Sequence, residues 1–427
     1  MKIFLDLTNQ IDSDALTQAI EDFVETFSDR MAPFAVELAT QLCDSFMRII
    51  GEVATNTPDL DSADFDDLSD KTMAAMGVLK TIGTLILNLD NSPEIVLQLE
   101  KIVFPVIRFC LDQKLVDMYD EVFEILDCCT FTLKKISPHM WELFDPIYLT
   151  FKDSGTDFAE EILPSLDNYI SYGSDVVTSH TEVQTKLYDI IEFIMKSDRA
   201  GESDRICACK LAEALMLHCP GKIDQLIPGL LNLAATYILS EGAIKTRAFR
   251  VYALEVVLNA LYYNAPATLA ILAQNNWVNG IFTAIVQNLQ HFSRVHDKKL
   301  LVVALTAVLQ VPPDQLPAEL QSGLPQIVDT LLQVFQTLPK AVEARENLAK
   351  IYEADTHEDF DADFDWGNVE NDDDEDEDGE EDGDVRDPEE EYFNNLIHEA
   401  QGAAPDEDDE DDDYEIDDEE LDEELAF

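Results

Sequence analysis

The chain has little positive charge. Its 427 residues include 27 lysines and arginines against 89 aspartates and glutamates, a formal net charge of −62. This surplus repels the phosphates of nucleic acids and the headgroups of anionic lipids, so we expect no direct binding to nucleic acid. It attracts basic proteins and raises the rate at which they are encountered. The composition therefore favours a protein that binds other proteins.

The sequence also lacks the common marks of an enzyme. It contains no glycine-rich phosphate loop, no Gly-x-Ser-x-Gly turn and no His-Glu-x-x-His pair. Histidines number only seven, and most lie beside predicted turns. Carboxylates are plentiful, but nothing local marks two of them as an acid–base pair. We expect neither a catalytic site nor a cofactor.

The cysteines show no disulfide framework. There are seven, an odd number, and most lie in or beside apolar runs. Cys207, Cys209, His218 and Cys219 come close together, but their spacing matches no common zinc pattern. On a helix, Cys207 and Cys209 point about 200° apart. We interpret the cysteines as core residues of a protein in a reducing compartment, and we predict no metal site.

Long hydrophobic runs are missing as well. Residues 1–6 lack the long apolar core of a signal peptide. The longest apolar stretches, 226–239 and 300–311, are about 14 and about 12 residues, too short to span a bilayer. We expect no membrane insertion and a location in the cytoplasm or the nucleus.

Helical periodicity is what the chain does contain, over residues 12–353. Apolar residues recur at intervals of three and four, and no run of period-two alternation indicates a strand. One such helical face is formed by Met76, Leu79, Ile82, Ile86 and Leu89. The sequence therefore predicts an all-α fold.

Regular breaks separate the predicted helices. Ser92-Pro93-Glu94 and Ser137-Pro138 each combine a capping serine with a first-turn proline, and they lie 45 residues apart. A further start near Asp117 gives two helices in about 45 residues, the period of HEAT-type hairpins. Further breaks follow at 153–155, 171–173, 199–201, 220–221, 241–242 and 264–266. We predict a HEAT-type helical-hairpin solenoid, an α-α superhelix, over residues 1–353; a compact helical domain is the alternative.

Two regions interrupt this pattern. Residues 56–70 are polar, contain six aspartates and are predicted to form an exposed loop. Residues 311–325 contain four prolines and are predicted to form a rigid connection before two capping helices, near 327–338 and 342–352. Aromatic residues inside helices are predicted to pack helix on helix; these include Phe249, Tyr252, Tyr262 and Tyr263.

The end of the chain is intensely acidic. Residues 353–427 hold 40 of the acidic residues and one base, Arg386. Such a sequence cannot bury much surface, so we predict a disordered acidic tail over 354–427, with a short amphipathic helix near 388–401. Its aromatic residues, its acidic block and the apolar face of that helix are candidate protein-binding residues: Phe360, Phe364, Trp366, Asp372, Asp373, Asp374, Glu375, Asp376, Glu377, Asp378, Tyr392, Phe393, Leu396 and Ile397.

Four segments resemble one family of proteins. They are DKTMAAMGVLKTI at 70–82, SPHMW at 137–141 followed by Phe144, ALYYNAP at 260–266 and VHDKK at 295–299. All four resemble segments of the karyopherin-β (importin-β-like) nuclear transport receptors of the importin seven and eight class, in the family's order. An acidic stretch dotted with aromatic residues, here 360–399, follows in the family too. The resemblance is to the C-terminal portion of such a receptor only.

This resemblance implies a receptor that carries basic cargo, such as ribosomal proteins or histones, through the nuclear pore. It implies shuttling between cytoplasm and nucleus, contacts with the phenylalanine-glycine repeats of the pore, and RanGTP binding through an N-terminal part absent from this chain. The tail residues named above would then be cargo-binding residues. An acidic histone or ribosomal-protein chaperone without transport activity is the main alternative, and a HEAT scaffold subunit is a third.

Overall fold

The computed structural model describes residues 14–27, 30–55, 64–89, 92–154 and 157–355. These residues form α-helices and two short 3₁₀ helices, Val116–Met118 and Leu289–His291, without a strand among them. The α-helices are α1 Asp14–Thr26, α2 Ala35–Thr55, α3 Asp64–Leu87, α4 Pro93–Gln113, α5 Tyr119–Leu133, α6 Pro138–Trp141, α7 Phe144–Ser154, α8 Ala159–Ser171, α9 Ser174–Ser179, α10 Thr181–Lys196, α11 Glu202–His218, α12 Ile227–Ile238, α13 Arg247–Gln274, α14 Val278–Gln287, α15 Val295–Leu309 and α16 Ala318–Asp355. The predicted all-α, HEAT-like fold is confirmed.

The longer helices form two layers. The first layer consists of α1, α3, α5, α8, α11, α13 and α15, and each of these packs directly on the next. The second layer consists of α2, α4, α7, α10, α12 and α14, and from α4 onward its members touch one another at fewer positions. The last helix, α16, packs on α14 and α15. In a curved stack the more closely packed layer lies on the inside, so the first layer forms the inner, concave side.

Two helix starts confirm the sequence prediction. Helix α4 begins at Pro93, directly after Ser92, as predicted, but the side chain of Ser92 forms no capping hydrogen bond. Helix α6 begins at Pro138, and the backbone N–H of Met140 donates to the hydroxyl of Ser137 at 3.2 Å. The fixed φ of proline suits the first helical turn, where its missing N–H costs nothing.

The predicted loop at 56–70 is wrong over its second half. Residues 64–70 are the first turns of α3, and residues 56–63 lie outside the described part. Several aspartates made this segment look like a loop. At the N-terminus of a helix, however, carboxylates interact favourably with the helix dipole.

The two predicted capping helices are a single helix. Helix α16 begins at Ala318, so it also takes in part of the predicted connection, and it continues through Pro325 and Pro339. A proline inside a helix removes one backbone hydrogen bond. Here a continuous buried stripe spans both prolines and compensates for that loss; it includes Leu320, Ile327, Leu331, Val334, Ala341 and Ala344.

Helix α13 is the most apolar of the long helices. By length and composition it is the one helix in the described residues that could cross a bilayer, but 56 % of its most apolar window is buried inside the protein. Asn264 breaks it with φ −160° and ψ 87°, as the predicted break at 264–266 requires. We therefore assign α13 to the core of the array.

The prediction that the cysteines are core residues is confirmed. All seven are buried. Burial raises the pKa of the Cys207 thiol to about 12 and that of Cys219 to about 11, so both remain protonated thiols at neutral pH. Among the described residues, no group of three histidine, cysteine or carboxylate side chains is arranged to hold a metal ion.

Candidate protein-binding face

The binding residues predicted from the sequence cannot be placed. Those between Phe360 and Ile397, and the helix predicted near 388–401, lie outside the described residues. The described part of the chain contains a different charged surface, on the solvent side of the first layer.

Carboxylates follow one another across the first layer. We call five of them the acidic row: Glu121, Glu124 and Asp127 on α5, Asp167 on α8 and Glu213 on α11. Burial is the main cause that raises the pKa of Asp127 and of Asp167; the charge of Asp167 adds to the first shift and that of Glu213 to the second. Such mutual repulsion requires proximity, so the row is continuous from helix to helix.

Two members of the acidic row titrate near neutral pH. Burial is the main cause that raises the pKa of Glu121 to about 7, with repulsion from Asp120 and Glu124 adding to it. Burial likewise raises the pKa of Asp127 to about 6. A cation that approached these groups would favour their charged forms and lower both pKa values. The row can therefore gain negative charge as a basic partner binds.

Hydrogen bonds between α5 and α8 hold this part of the row in register. The side-chain amide of Asn168 donates to Asp127 Oδ1 at 2.6 Å and to Thr130 Oγ1 at 3.0 Å. Ser165 Oγ donates to the carbonyl of Phe123 at 3.2 Å. These contacts are buried or partly buried, where a satisfied polar network specifies one arrangement of the two helices.

A second charged cluster lies where α11 and α15 both pack on α13. The guanidinium of Arg294 lies 4.4 Å from the ring centroid of Tyr252, and Lys210 Nζ lies 5.3 Å from the same centroid. Arg294 also pairs with Glu255 at 3.1 Å and with Asp297 at 2.8 Å. Burial raises the pKa of Glu255 and repulsion from Asp297 adds to this, whereas Arg294 opposes it.

His296 connects this cluster to the acidic row. Its ring pairs with the carboxylate of Glu213, a member of the row on α11. This hydrogen bond is the main cause that raises the pKa of His296. The neighbouring Lys298 is buried and donates to the carbonyl of Phe292 at 2.8 Å; burial lowers its pKa to about 8.

Exposed apolar side chains lie one or two helical turns beyond these charges. Phe131 follows Asp127 by four residues and Leu217 follows Glu213 by four, so each shares a helix face with its carboxylate. Tyr262 on α13 follows Glu255 by seven residues. With Leu87 on α3 and Val303 on α15 they form what we call the apolar row, whose members range from 37 % to 55 % exposed: Leu87, Phe131, Leu217, Tyr262 and Val303.

The apolar row corrects one prediction. Tyr262 is 52 % exposed, so the prediction that it packs helix on helix is wrong. Phe249 is fully buried, and Tyr252 and Tyr263 pack against the core, as predicted. For two members of the row, Phe131 and Leu217, the sequence did carry a signal, namely an acidic residue four positions earlier. Periodicity alone assigned Tyr262 to the core, because periodicity does not show which faces of a helix stay uncovered.

Comparison with known proteins finds relatives that share one description. No protein-family model matches the chain, and no solved structure matches it. Curated proteins do match. A probable importin-7 homolog of Dictyostelium discoideum is 29 % identical over 334 residues, which cover 78 % of this chain and 30 % of the relative.

Two further relatives agree. The importin beta-like SAD2 homolog of Arabidopsis thaliana is 30 % identical over 78 % of this chain and 32 % of its own length. Importin-8 of Homo sapiens is 27 % identical over 84 % of this chain and 34 % of its own length. The chain thus spans about a third of the length of the curated relatives it matches. Over that third, the chain resembles importin-β-like proteins of the importin-7 and importin-8 class.

Proposed function

We propose that this chain is part of a nuclear import receptor and that it binds basic protein cargo, such as ribosomal proteins or histones. The relationship to importins supports a transport role. The choice of cargo rests on the acidic row. Its carboxylates come from α5, α8 and α11, three successive helices of the first layer, and lie on the inner side of the array.

The acidic row would act over two ranges of distance. From afar, the net charge of −62 attracts cationic proteins and raises their association rate. At contact, lysine and arginine side chains would pair with the row and draw protons off Glu121 and Asp127, whose pKa values are about 7 and about 6. Exposed charges are screened beyond ~8 Å at physiological ionic strength, so salt should weaken this binding steeply.

The acidic tail would add to this attraction. Residues 354–427 carry most of the surplus of negative charge, and each exposed ion pair contributes only about 0–1 kcal/mol. Many such weak contacts would shield cationic cargo segments, and the aromatic residues around Trp366 would add apolar contacts.

The remaining roles of such a receptor follow from the same proposal. The chain would act by binding rather than by catalysis, and it would shuttle between cytoplasm and nucleus. It would contact the phenylalanine-glycine repeats of the pore. RanGTP would act through an N-terminal part of the receptor that the resemblance does not cover.

Equilibrium binding of a linker histone and of a basic ribosomal protein tests the proposal. The full chain is compared with a variant of the acidic row (E124Q/D127N/D167N/E213Q) and with a chain that ends after Asp355. We expect the row variant to bind at least tenfold more weakly, with a shallower dependence on salt. The truncated chain should lose part of the affinity and part of the salt dependence.

A matched control removes four carboxylates from the second layer instead: D112N/D145N/E182Q/E192Q. These residues lie on α4, α7 and α10. If the control weakens binding as much as the row variant, net charge alone explains the affinity and the row is not a site. Equal affinity and equal salt slope for all chains would contradict the proposal altogether.

An acidic chaperone without transport activity is the second candidate, favoured by the net charge of −62. It would bind the same basic proteins. Immobilised phenylalanine-glycine repeats separate the two, because a receptor segment should bind them and a chaperone has no need to.

A further inference from the structure

We infer that the apolar row is the docking surface for an extended basic segment of the partner, in which an apolar residue recurs about every third position. This inference rests on the proposed function, because it specifies the segment through which a basic cargo would be held.

Two contacts between helices relate neighbouring positions of the row. Asn168 donates to Asp127, and adding four residues to each brings Phe131 of α5 level with Tyr172, just after α8. Tyr172 is partly buried against the core and fills the α8 position of the row. Arg294 pairs with Glu255, and a similar step along both helices brings Tyr262 of α13 near the level of Val303 on α15.

The spacing of the row selects an extended chain. Packed helices lie about 8–10 Å apart, and an extended chain in the polyproline II conformation advances about 3.1 Å per residue with three residues per turn, so three residues bridge one step of the row and bring the next apolar side chain back to the same face. The acidic row lies one turn away, about 5–6 Å along each helix. Lysine or arginine side chains between the apolar positions can reach it. The expected pattern is therefore apolar, basic, basic, repeated.

Electrostatic charge determines which partner can bind to the apolar row beside the acidic row. The tail of this chain, 354–427, carries 39 acidic residues and one base, so the acidic row would repel it. A second copy of the chain, with a net charge of −62, would be repelled as well. A basic partner complements both rows. Its lysine and arginine side chains neutralise the carboxylates of the acidic row, and its apolar side chains cover those of the apolar row.

The test uses the full chain carrying F131S/L217S/Y262S. All three side chains are more than one third exposed, so we expect the variant to fold and to keep its thermal midpoint. The control variant, L97S/L149S/L239S, removes exposed apolar residues of α4, of α7 and of the end of α12. The probes are synthetic 15-residue peptides: Leu-Lys-Lys repeated, a peptide of the same composition with leucines at helical spacing, and polylysine.

We expect the row variant to bind the Leu-Lys-Lys peptide at least tenfold more weakly than the unaltered chain, with little change for polylysine. The control variant should bind as the unaltered chain does, and the unaltered chain should prefer the period of three to the helical spacing. Equal binding of the two leucine peptides, or no effect of the row variant, overturns the inference. If basic proteins still bind in that case, the proposed function stands; if none binds, both fail.

Discussion

His296 at the start of α15 forms an ion pair with Glu213 of α11, although both helices pack on α13 and α13 lies between them. Side chains of the first layer therefore reach across a whole helix and tie non-adjacent repeats together. In a solenoid, where most contacts join neighbours, such a bridge resists changes in local curvature.

The bridge should make stability depend on pH. Because Glu213 raises the pKa of His296 in the folded chain, the pair stabilises fully below the ordinary value of 6.5, and this is lost as pH rises through the raised pKa. The side chain of His296 is half-exposed, so we expect less than about 1 kcal/mol. In H296Q, the urea midpoint should fall at pH 6 and change little at pH 8.

The control for this prediction is H180Q, which alters an exposed histidine beside α9. Equal losses in H296Q at pH 6 and pH 8 would show that the contact acts by packing and not by charge.

Asp127 should reduce stability at neutral pH. Burial raises its pKa from 3.8 to about 6, so the folded chain holds this proton more tightly than the unfolded chain, and stability falls as pH rises from 3.8 through 6. The change D127N removes the charge and keeps an oxygen that can accept from Asn168. We expect D127N to gain about 1 kcal/mol at pH 7.5 and less at pH 5.

Urea unfolding at the two pH values measures that gain. D112N, at an exposed carboxylate of α4, should show neither the gain nor its pH dependence. A lower stability of D127N at pH 7.5 would contradict the prediction. Because Asp127 belongs to the acidic row, the more stable variant should also bind basic proteins more weakly.

Ser137 links a helix cap to a buried carboxylate. Its hydroxyl accepts from the N–H of Met140 and donates to Glu100, which is 1 % exposed. S137A removes the cap, which costs about 1 kcal/mol, and leaves Glu100 without this partner, which costs about 1–3 kcal/mol more. E100Q keeps an acceptor for Ser137 and removes a buried charge, so it should cost far less. Similar thermal shifts for the two variants would contradict this account.

Two glycines should respond in opposite directions to alanine. At Gly173, between α8 and α9, a Cβ would lie 2.5 Å from the carbonyl oxygen of Tyr169 and 2.6 Å from Trp141 Cζ2. The backbone oxygen cannot move cheaply, so G173A should cost about 1–3 kcal/mol. At Gly51, in α2, a Cβ would meet nothing within 4 Å, and G51A should gain about 0.5–1 kcal/mol. Thermal unfolding monitored by circular dichroism checks both; a destabilised G51A would be the contrary result.

Local chemistry explains the features that were correctly predicted. The starts of α4 and α6 follow from a proline in the first turn, to which the side chain of Ser137 adds a cap at α6. The turns at Gly221 and Gly242, with φ of 68° and 72°, follow from the freedom of glycine in the left-handed region. In both cases the interaction that determines the local structure joins residues only a few positions apart, so it can be predicted from the sequence.

The incorrect predictions concern features that depend on distant residues. The prolines of α16 suggested two helices, but a stripe buried against α14 and α15 holds one helix together. Tyr262 fits an apolar pattern, yet no neighbouring helix covers it. Neither outcome can be read from a window of sequence, because the deciding atoms belong to other helices.

The sequence by itself determined the helical fold, its breaks, the excess of negative charge and, by resemblance, the family. Periodicity, capping and composition are local or additive properties, which need no knowledge of the fold. The tertiary structure alone decided which layer is the inner one, that Glu213 meets His296, and that carboxylates and exposed apolar side chains of successive helices form two parallel rows. All three features depend on which residues of neighbouring helices, about 40 or more positions apart in the sequence, lie side by side. Helix packing sets this alignment.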